Sequence, residues 1–398
     1  MVEREPVCKE DFTLKNIKTL TEENYDAIFS LSQFAFQYEL SEEEMHDKKE
    51  EVKRHKVWGW MDGDNLAAKL HLIPLSCYIN GKIFNMGGIS AVATWPEYRR
   101  QGMVKDLLHH SLKYMKENGQ IISYLHPFSF RFYRKYGWEH AFNELQLTLP
   151  INKLKKKWDA KGYVRRIQPD VPLLHHLYTN YAKSFNGMLE RDEKWWEQRV
   201  LNRKHQIAVA YNEQDQAEGY VLFKVKDNVV KITELVHSNL NGWKLLLGFI
   251  ANHDSMAEKV KMVVPENDKL SLLLDEPRFE QKLEPYFMAR IVDVQKFLQE
   301  YPFAADEKFA VTILDDFFPE NNGTYQVRAE TGVNSVSHIQ SHKGNGIQCS
   351  IQVLTGMLLG FKRPNDYHEL ELLQGDEAAV VQLERLIPEN QAFFADFF

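Results

Sequence analysis

Cysteine is nearly absent from this chain. Its 398 residues hold three, Cys8, Cys77 and Cys349, widely separated and without the paired spacing of a zinc site or a disulfide framework. Cys77 stands in an apolar run and reads as a small core residue rather than a nucleophile. Long apolar stretches are missing too. Runs such as Leu245 to Leu247 stop after a few residues, where a membrane span needs about 20. The opening MVEREPVCKEDF is charged throughout and lacks the apolar centre of a signal peptide, so the cytoplasm is the expected location and no membrane partner is expected. Nor is there a basic excess. Lys and Arg number 49 against 56 Asp and Glu, a net charge of −7, which speaks against a nucleic-acid partner and suits cationic small molecules. The 15 histidines supply no H-x-x-x-H pair in a convincing helix, so no metal is expected, and His109-His110 read as surface or boundary residues.

What is present is an ordinary globular composition, 44% apolar and 26% charged, in a chain too long for one core. Helical text from Glu22 to Lys53 leads into Val57–Met61, Leu66–Ile79 and Ile83–Thr94, joined by the turns Asp62-Gly63-Asp64 and Asn80-Gly81-Lys82, an antiparallel meander. A helix from about Gly102 carries Val104, Leu107, Leu108, Leu112 and Met115 at helical spacing and stops at Gly119. Ile121–Leu125 reads as a short buried strand, and a second helix bears FRFYRKY up to Gly137. After a basic stretch at Leu154–Trp158, read as a solvated connector, the order recurs: helical text over Val171–Arg203, three strands from Ile207 to His237, and a helix near Trp243–His253. This second copy lacks an arginine-and-glycine loop. A third segment from about Ile291 reads as a hairpin turning at Asn321-Asn322-Gly323, a strand at Ile347–Val353, and helices at Thr355–Leu359 and Ala378–Leu386. The chain ends in Phe393, Phe394, Phe397 and Phe398, and so many rings at a terminus imply that the tail is held in the interior.

The densest chemistry lies in ISAVATWPEYRRQGMVKDLL. A strand ends at Thr94, then Arg99, Arg100, Gln101, Gly102, Met103, Val104 and Lys105 open a helix. This resembles the R-x-x-G-x-(G/A) loop with which acetyl-CoA transferases hold the pyrophosphate of coenzyme A, with Val104 in place of the last small residue. The physics is that of an anion at a helix N-terminus: orphan N–H groups and the helix dipole attract phosphate, Gly102 permits close approach, and the arginines add charge-assisted hydrogen bonds. Further on, Phe132-Tyr133-Arg134-Lys135-Tyr136-Gly137-Trp138 is similar to a frequent GNAT signature, in which Tyr133 would protonate the departing thiolate. Packing alone is the competing role for this ring.

Together these residues and the order of the segments resemble the enhanced-intracellular-survival (Eis) acetyltransferases. The resemblance implies an α+β chain of tandem GNAT domains, the first functional and the second degenerate, followed by a sterol-carrier-like α/β domain, with bounds near 1–150, 151–290 and 291–398. It rests on Val92-Ala93-Thr94-Trp95-Pro96-Glu97-Tyr98-Arg99-Arg100-Gln101-Gly102, on Tyr133, and on the terminal Phe398. It implies that Val92, Ala93 and Thr94 and the Arg99–Lys105 loop bind acetyl-CoA, that Tyr133 is the acid, and that the Phe398 α-carboxylate enters the active site. Such a carboxylate, ordinarily near pKa ~3.5, can accept the acceptor's proton if its surroundings raise its basicity. Phe128 and Ser129 stand where the family often has a serine and a glutamate near the cofactor, a departure that reshapes the acceptor pocket. The resemblance further implies a primary-amine acceptor (aminoglycoside-like, polyamine or lysine) attacking in a ternary complex, and a homohexamer. Two other functions stay open on the sequence: lipid binding by the C-terminal domain, and acetyl-CoA sensing without turnover.

Overall fold

The computed structural model describes residues 16–203, 205–330, 332–339 and 346–398; Cys8 lies outside them. β1 (Ile17–Leu20) heads a meander of β2 (Lys56–Asp62), β3 (Asn65–Ile79) and β4 (Lys82–Thr94). Both tight turns close as the sequence predicts, because Gly63 and Gly81 take left-handed φ of 59° and 77° without a Cβ penalty. Two helices, α1 (Tyr25–Phe36) and α2 (Glu42–Val52), pack on one face of this sheet, and α3 (Met103–Glu117) buries Met103, Leu107, Leu108, Leu112 and Met115 on the other. β5 (Ile122–Leu125), the short α4 (Phe130–Arg134), β6 (Glu139–His140) and β7 (Asn143–Pro150) follow.

The second unit contains β8 (Tyr163–Ile167), α5 (Val171–Ala182), β9 (Gln206–Tyr211), β10 (Ala217–Lys226), β11 (Val229–His237), α6 (Leu240–Ala251), β12 (Lys259–Val264), β13 (Glu280–Pro285) and β14 (Met288–Ile291). The helical text over 171–203 is not one helix: α5 ends at Ala182, and helical turns resume only at Glu193. The connector also differs from expectation. Leu154 is fully buried and Trp158 packs on the second core, its Nε1 donating to the Leu154 carbonyl at 2.9 Å.

The sheets trade strands. The first has the order β1-β2-β3-β4-β5-β14-β6 and the second β13-β7-β12-β11-β10-β9-β8. β14 is a both-faces-buried run, MARI, and sits in the first sheet next to its edge, between β5 and the two-residue β6. β7 leaves the first unit and pairs between β12 and β13, putting Leu147 and Leu149 into the second core. Neither exchange is visible in sequence order, because the local pattern of a strand does not name its neighbours.

The third unit has α7 (Val294–Glu300), β15 (Lys308–Leu314), β16 (Gly323–Arg328), β17 (Ser335–Ile339), β18 (Ile347–Ser350), α8 (Ile351–Leu358), β19 (Leu373–Gln374) and α9 (Glu377–Leu386). Its sheet runs β17-β16-β15-β18-β19. The strand expected to reach Val353 stops at Ser350, whose hydroxyl accepts from the Val353 N–H at 3.3 Å and starts α8 instead. The tail then returns across the molecule: Phe393, Phe394 and Phe398 are buried, while Phe397 is 47% exposed. Among the described residues no helix is long and apolar enough to cross a membrane.

Candidate active site

The site begins where β4 and β5 part. They pair in parallel only at Met86–Ile89 with Ile122–Leu125, but β4 continues to Thr94, so Ser90–Thr94 keep β3 on one edge and leave the other unpaired. Within this stretch β4 carries a bulge. Three steps from Ser90 to Ala93 span two steps of β3, from His71 to Lys69, and Ala91 takes a left-handed φ of 49°. A bulge bends its strand, and this one lies just before Val92–Thr94 on the unpaired edge.

Opposite this edge, α3 begins without a side-chain cap. Gly102 is its N-cap at φ 89°, and the first intrahelical bond runs from Asp106 N–H to the Gly102 carbonyl. The amides of Met103, Val104 and Lys105 therefore have no partner within the helix and point out of its positive end. Arg99, Arg100 and Lys105 are exposed beside them. A cavity of about 710 Å³ joins the two features. Val92, Ala93 and Thr94, every residue of Arg99–Lys105, and Phe128 all line it. Ala35 and Phe36 at the end of α1, together with Tyr98, Phe132 and Tyr136, complete the wall. Ser129 does not line it: its hydroxyl accepts from the Phe132 N–H at 3.4 Å and caps α4.

Tyr133 is 3% exposed and is not among the cavity's lining residues. It packs edge-on against Phe128 and Phe132, which are, at centroid distances of 5.6 and 5.1 Å. Burial first, and then Tyr136, push its phenol well above the ordinary range, so it keeps its proton at neutral pH. Phe398 ends the chain against β4. Its ring sits so close to Gly88 that a Cβ there would lie 2.7 Å from Cε2, and it meets Phe287, Phe394 and Trp195 at 5.2, 5.9 and 6.3 Å. Gly88 is two residues before the start of the bulge.

This geometry can be set beside known proteins. The GNAT acetyltransferase domain profiles match residues 16–141 and 187–291, and a sterol carrier protein domain profile matches 294–395. The chain is a tandem GNAT N-acetyltransferase with a sterol-carrier domain. An uncharacterized N-acetyltransferase of Streptomyces avermitilis is 22% identical over 307 residues, 70% of this chain and 73% of that one. A probable N-acyltransferase from Enterococcus faecalis superposes with a TM-score of 0.90 at 26% identity, over 96% of this chain and 99% of the other. Eis1 from Mycobacterium abscessus shares the fold, with a TM-score of 0.81 at 16% identity over 96% and 100% of the two chains.

The acetyltransferase fixes its own tail with residues that the sequence did not single out. Arg191 is buried, and its Nε donates to both Asp396 carboxylate oxygens at 3.1 and 3.2 Å while its Nη1 donates to Glu234 at 3.1 Å. Trp195 Nε1 donates to Asp396 Oδ1 at 2.9 Å, and the Tyr286 hydroxyl donates to the Asp396 carbonyl at the same distance. Further back, the Phe393 N–H donates to Asn186 O, and Asn186 N–H to Gln391 O. The sequence did hold one sign of this clamp. Asp396 is a carboxylate among four phenylalanines, and a buried charge requires a partner. Cys77, read as core, is fully buried; the Tyr124 hydroxyl donates to its sulfur at 3.3 Å, and burial pushes the thiol up to about 12.

Proposed function

We propose that this acetyltransferase moves the acetyl group of acetyl-CoA to a primary amine by direct attack in a ternary complex. The observation that carries the reading is the juxtaposition of an uncapped helix start and an unpaired strand edge on one cavity, with the chain terminus against the same strand. The amides of Met103–Lys105 with Arg99 and Arg100 suit the pyrophosphate, and Ser90–Thr94 offer backbone partners to the pantetheine amides. Coenzyme A supplies the thioester. The chain's part is to hold that carbonyl on a backbone N–H beyond the bulge, to accept the ammonium proton on the Phe398 carboxylate, directly or through water, and to return a proton to sulfur from Tyr133.

Polyamine, lysine-peptide and aminoglycoside amines are the acceptor classes, in keeping with the net charge of −7. The working form is a cytoplasmic homohexamer, which light scattering of the purified protein tests. The function itself is tested by thiol release from acetyl-CoA over a panel of these amines, with untagged, N-terminally tagged and C-terminally tagged protein in parallel. A C-terminal tag turns the Phe398 carboxylate into an amide, so turnover should collapse while acetyl-CoA still binds. Full activity in that form excludes the carboxylate as base, and no turnover by untagged protein on any amine excludes the function.

A further inference from the structure

The bulge that shapes the site is not held by backbone alone. Lys69 of β3 has no solvent exposure, and its Nζ donates to the Ala91 carbonyl at 3.0 Å. Ala91 is the residue in the left-handed region, a conformation that a non-glycine residue keeps only when its surroundings impose it. The same Nζ is 3.1 Å from His71 Nε2, and His71 Nδ1 is 3.2 Å from Nδ1 of His55, which is only partly buried. Three nitrogen bases thus run in one line from beneath the bulge toward the surface.

We propose that Lys69 is a positioning residue for acyl transfer: its ammonium, exchanging a proton through His71 and His55, pins the Ala91 carbonyl and so fixes the backbone N–H groups just beyond it. The inference rests on the cavity's role under Proposed function. Two proton arrangements satisfy the line. As an ammonium, Lys69 donates to Ala91 O and to His71 Nε2, and His71 Nδ1–H donates to His55 Nδ1. When Lys69 gives its proton to His71 Nε2, the Nδ1 proton of His71 passes to His55 Nδ1, and the Nε2 proton of His55 leaves to water. The neutral amine then accepts from His71 Nε2–H and still donates to Ala91. Each step moves one proton along an existing hydrogen bond.

The neighbouring charges favour neutral imidazoles. Lys48 of α2, Arg54 after it, and Lys69 itself lower both rings or His55 alone, behind the larger effect of burial. Glu51 is engaged by Lys48 and by Arg199 of the second unit. Burial brings Lys69 down to about 7, so both of its forms exist near neutrality. The ammonium is the productive one, because it makes the charge-assisted bond that holds the Ala91 carbonyl.

The test uses the full chain. Lys69→Met keeps the length of the side chain and removes its donors; Lys69→Gln keeps one donor and cannot ionise. We expect kcat to fall about 30- to 100-fold in Lys69→Met and several-fold in Lys69→Gln, with the Kd for acetyl-CoA within about twofold of wild type. The kcat–pH profile of wild type should show an ionisation near pH 7 that both variants lack and that His55→Leu displaces. Wild-type kcat in Lys69→Met overturns the proposal, as does an unchanged inflection in Lys69→Gln, which serves if the Met variant does not fold. Either result leaves the acetyltransferase reading intact, whereas absence of wild-type turnover on every amine sinks that reading first.

Discussion

Gly88→Ala is the smallest change that should disturb the terminus without touching the coenzyme loop. The backbone at Gly88 has no positive φ, so alanine is conformationally acceptable there. Its methyl, however, would stand 2.7 and 3.0 Å from Cε2 and Cζ of Phe398 and 3.1 Å from Leu75 Cδ1. Ordinary carbon contact is about 3.5 Å, so the ring must retreat by roughly 0.8 Å. Phe398 lies outside any helix or strand, and moving it is easier than moving β4, which is hydrogen-bonded on both sides at this residue. Overpacking of this kind costs about 1–3 kcal/mol, and the low end is expected because the tail can yield. A displacement near 1 Å at a reacting group lowers rates by about 10²-fold. Calorimetric titration with acetyl-CoA should therefore give wild-type affinity, while thiol release with the best amine falls by about two orders of magnitude. Adding Phe398→Ala removes the ring but retains the main-chain carboxylate and the Asp396 clamp, so the double variant should regain part of the lost turnover. Wild-type kcat in Gly88→Ala would refute the reasoning, since the terminus would then have moved at no catalytic expense.

Arg100→Ala and Gly102→Asp should each weaken acetyl-CoA binding by about 1.5–3 kcal/mol in calorimetry while circular dichroism stays unchanged; equal affinity in both refutes the anion-site assignment. Tyr133→Phe should lower kcat by about 10²–10⁴-fold and leave the KM for acetyl-CoA nearly constant, whereas an unchanged kcat reduces the ring to packing. Two histidines make stability pH-dependent: burial chiefly lowers His55 to about 3 and His237 to about 4, from 6.5. Both folded values are depressed, so the stabilisation is complete above pH 6.5 and drains away as pH falls toward 4. Lys69, brought by burial from 10.5 down to about 7, acts in the same direction above that range. The melting temperature should accordingly already decline from pH 8 to 7 and go on declining below 6.5, where the histidines contribute, less steeply in His237→Phe, which preserves stacking on Trp243.

Local chemistry was the part of this structure open to reading in advance. The glycine turns, the stripe on α3 and the R-R-Q-G start of that helix each depend on residues within a few positions, and each stands where expected. The buried tail was legible for a different reason, because four phenylalanines cannot remain in water at no cost. What escaped reading is long-range. Nothing in MARI or in NELQLTLP says which sheet receives it, since the neighbours come from over 100 residues away. Arg191 lay unremarked in a stretch read as helical that the structure leaves between helices, and Lys69 and His71 alternate with leucines in a run that read simply as strand. That alternation was a usable signal. Two basic residues on one face of a buried strand need partners, and here Lys69 finds the bulge while His71 finds Lys69 and His55.

The exchange of β7 and β14 has a consequence for how the molecule is made. β5 leaves the ribosome about 160 residues before the strand that pairs beside it, a delay of roughly 8–30 s at ~5–20 residues per second. Through that interval β5 offers an unpaired apolar edge next to the nascent coenzyme site, the kind of edge that recruits foreign strands. Truncated messages and ribosome stalls before Met288 should thus yield sticky, cofactor-blind fragments, not a working half-enzyme. The sheet that begins first closes late, and the ring that rests against its central strand, Phe398, is translated later still.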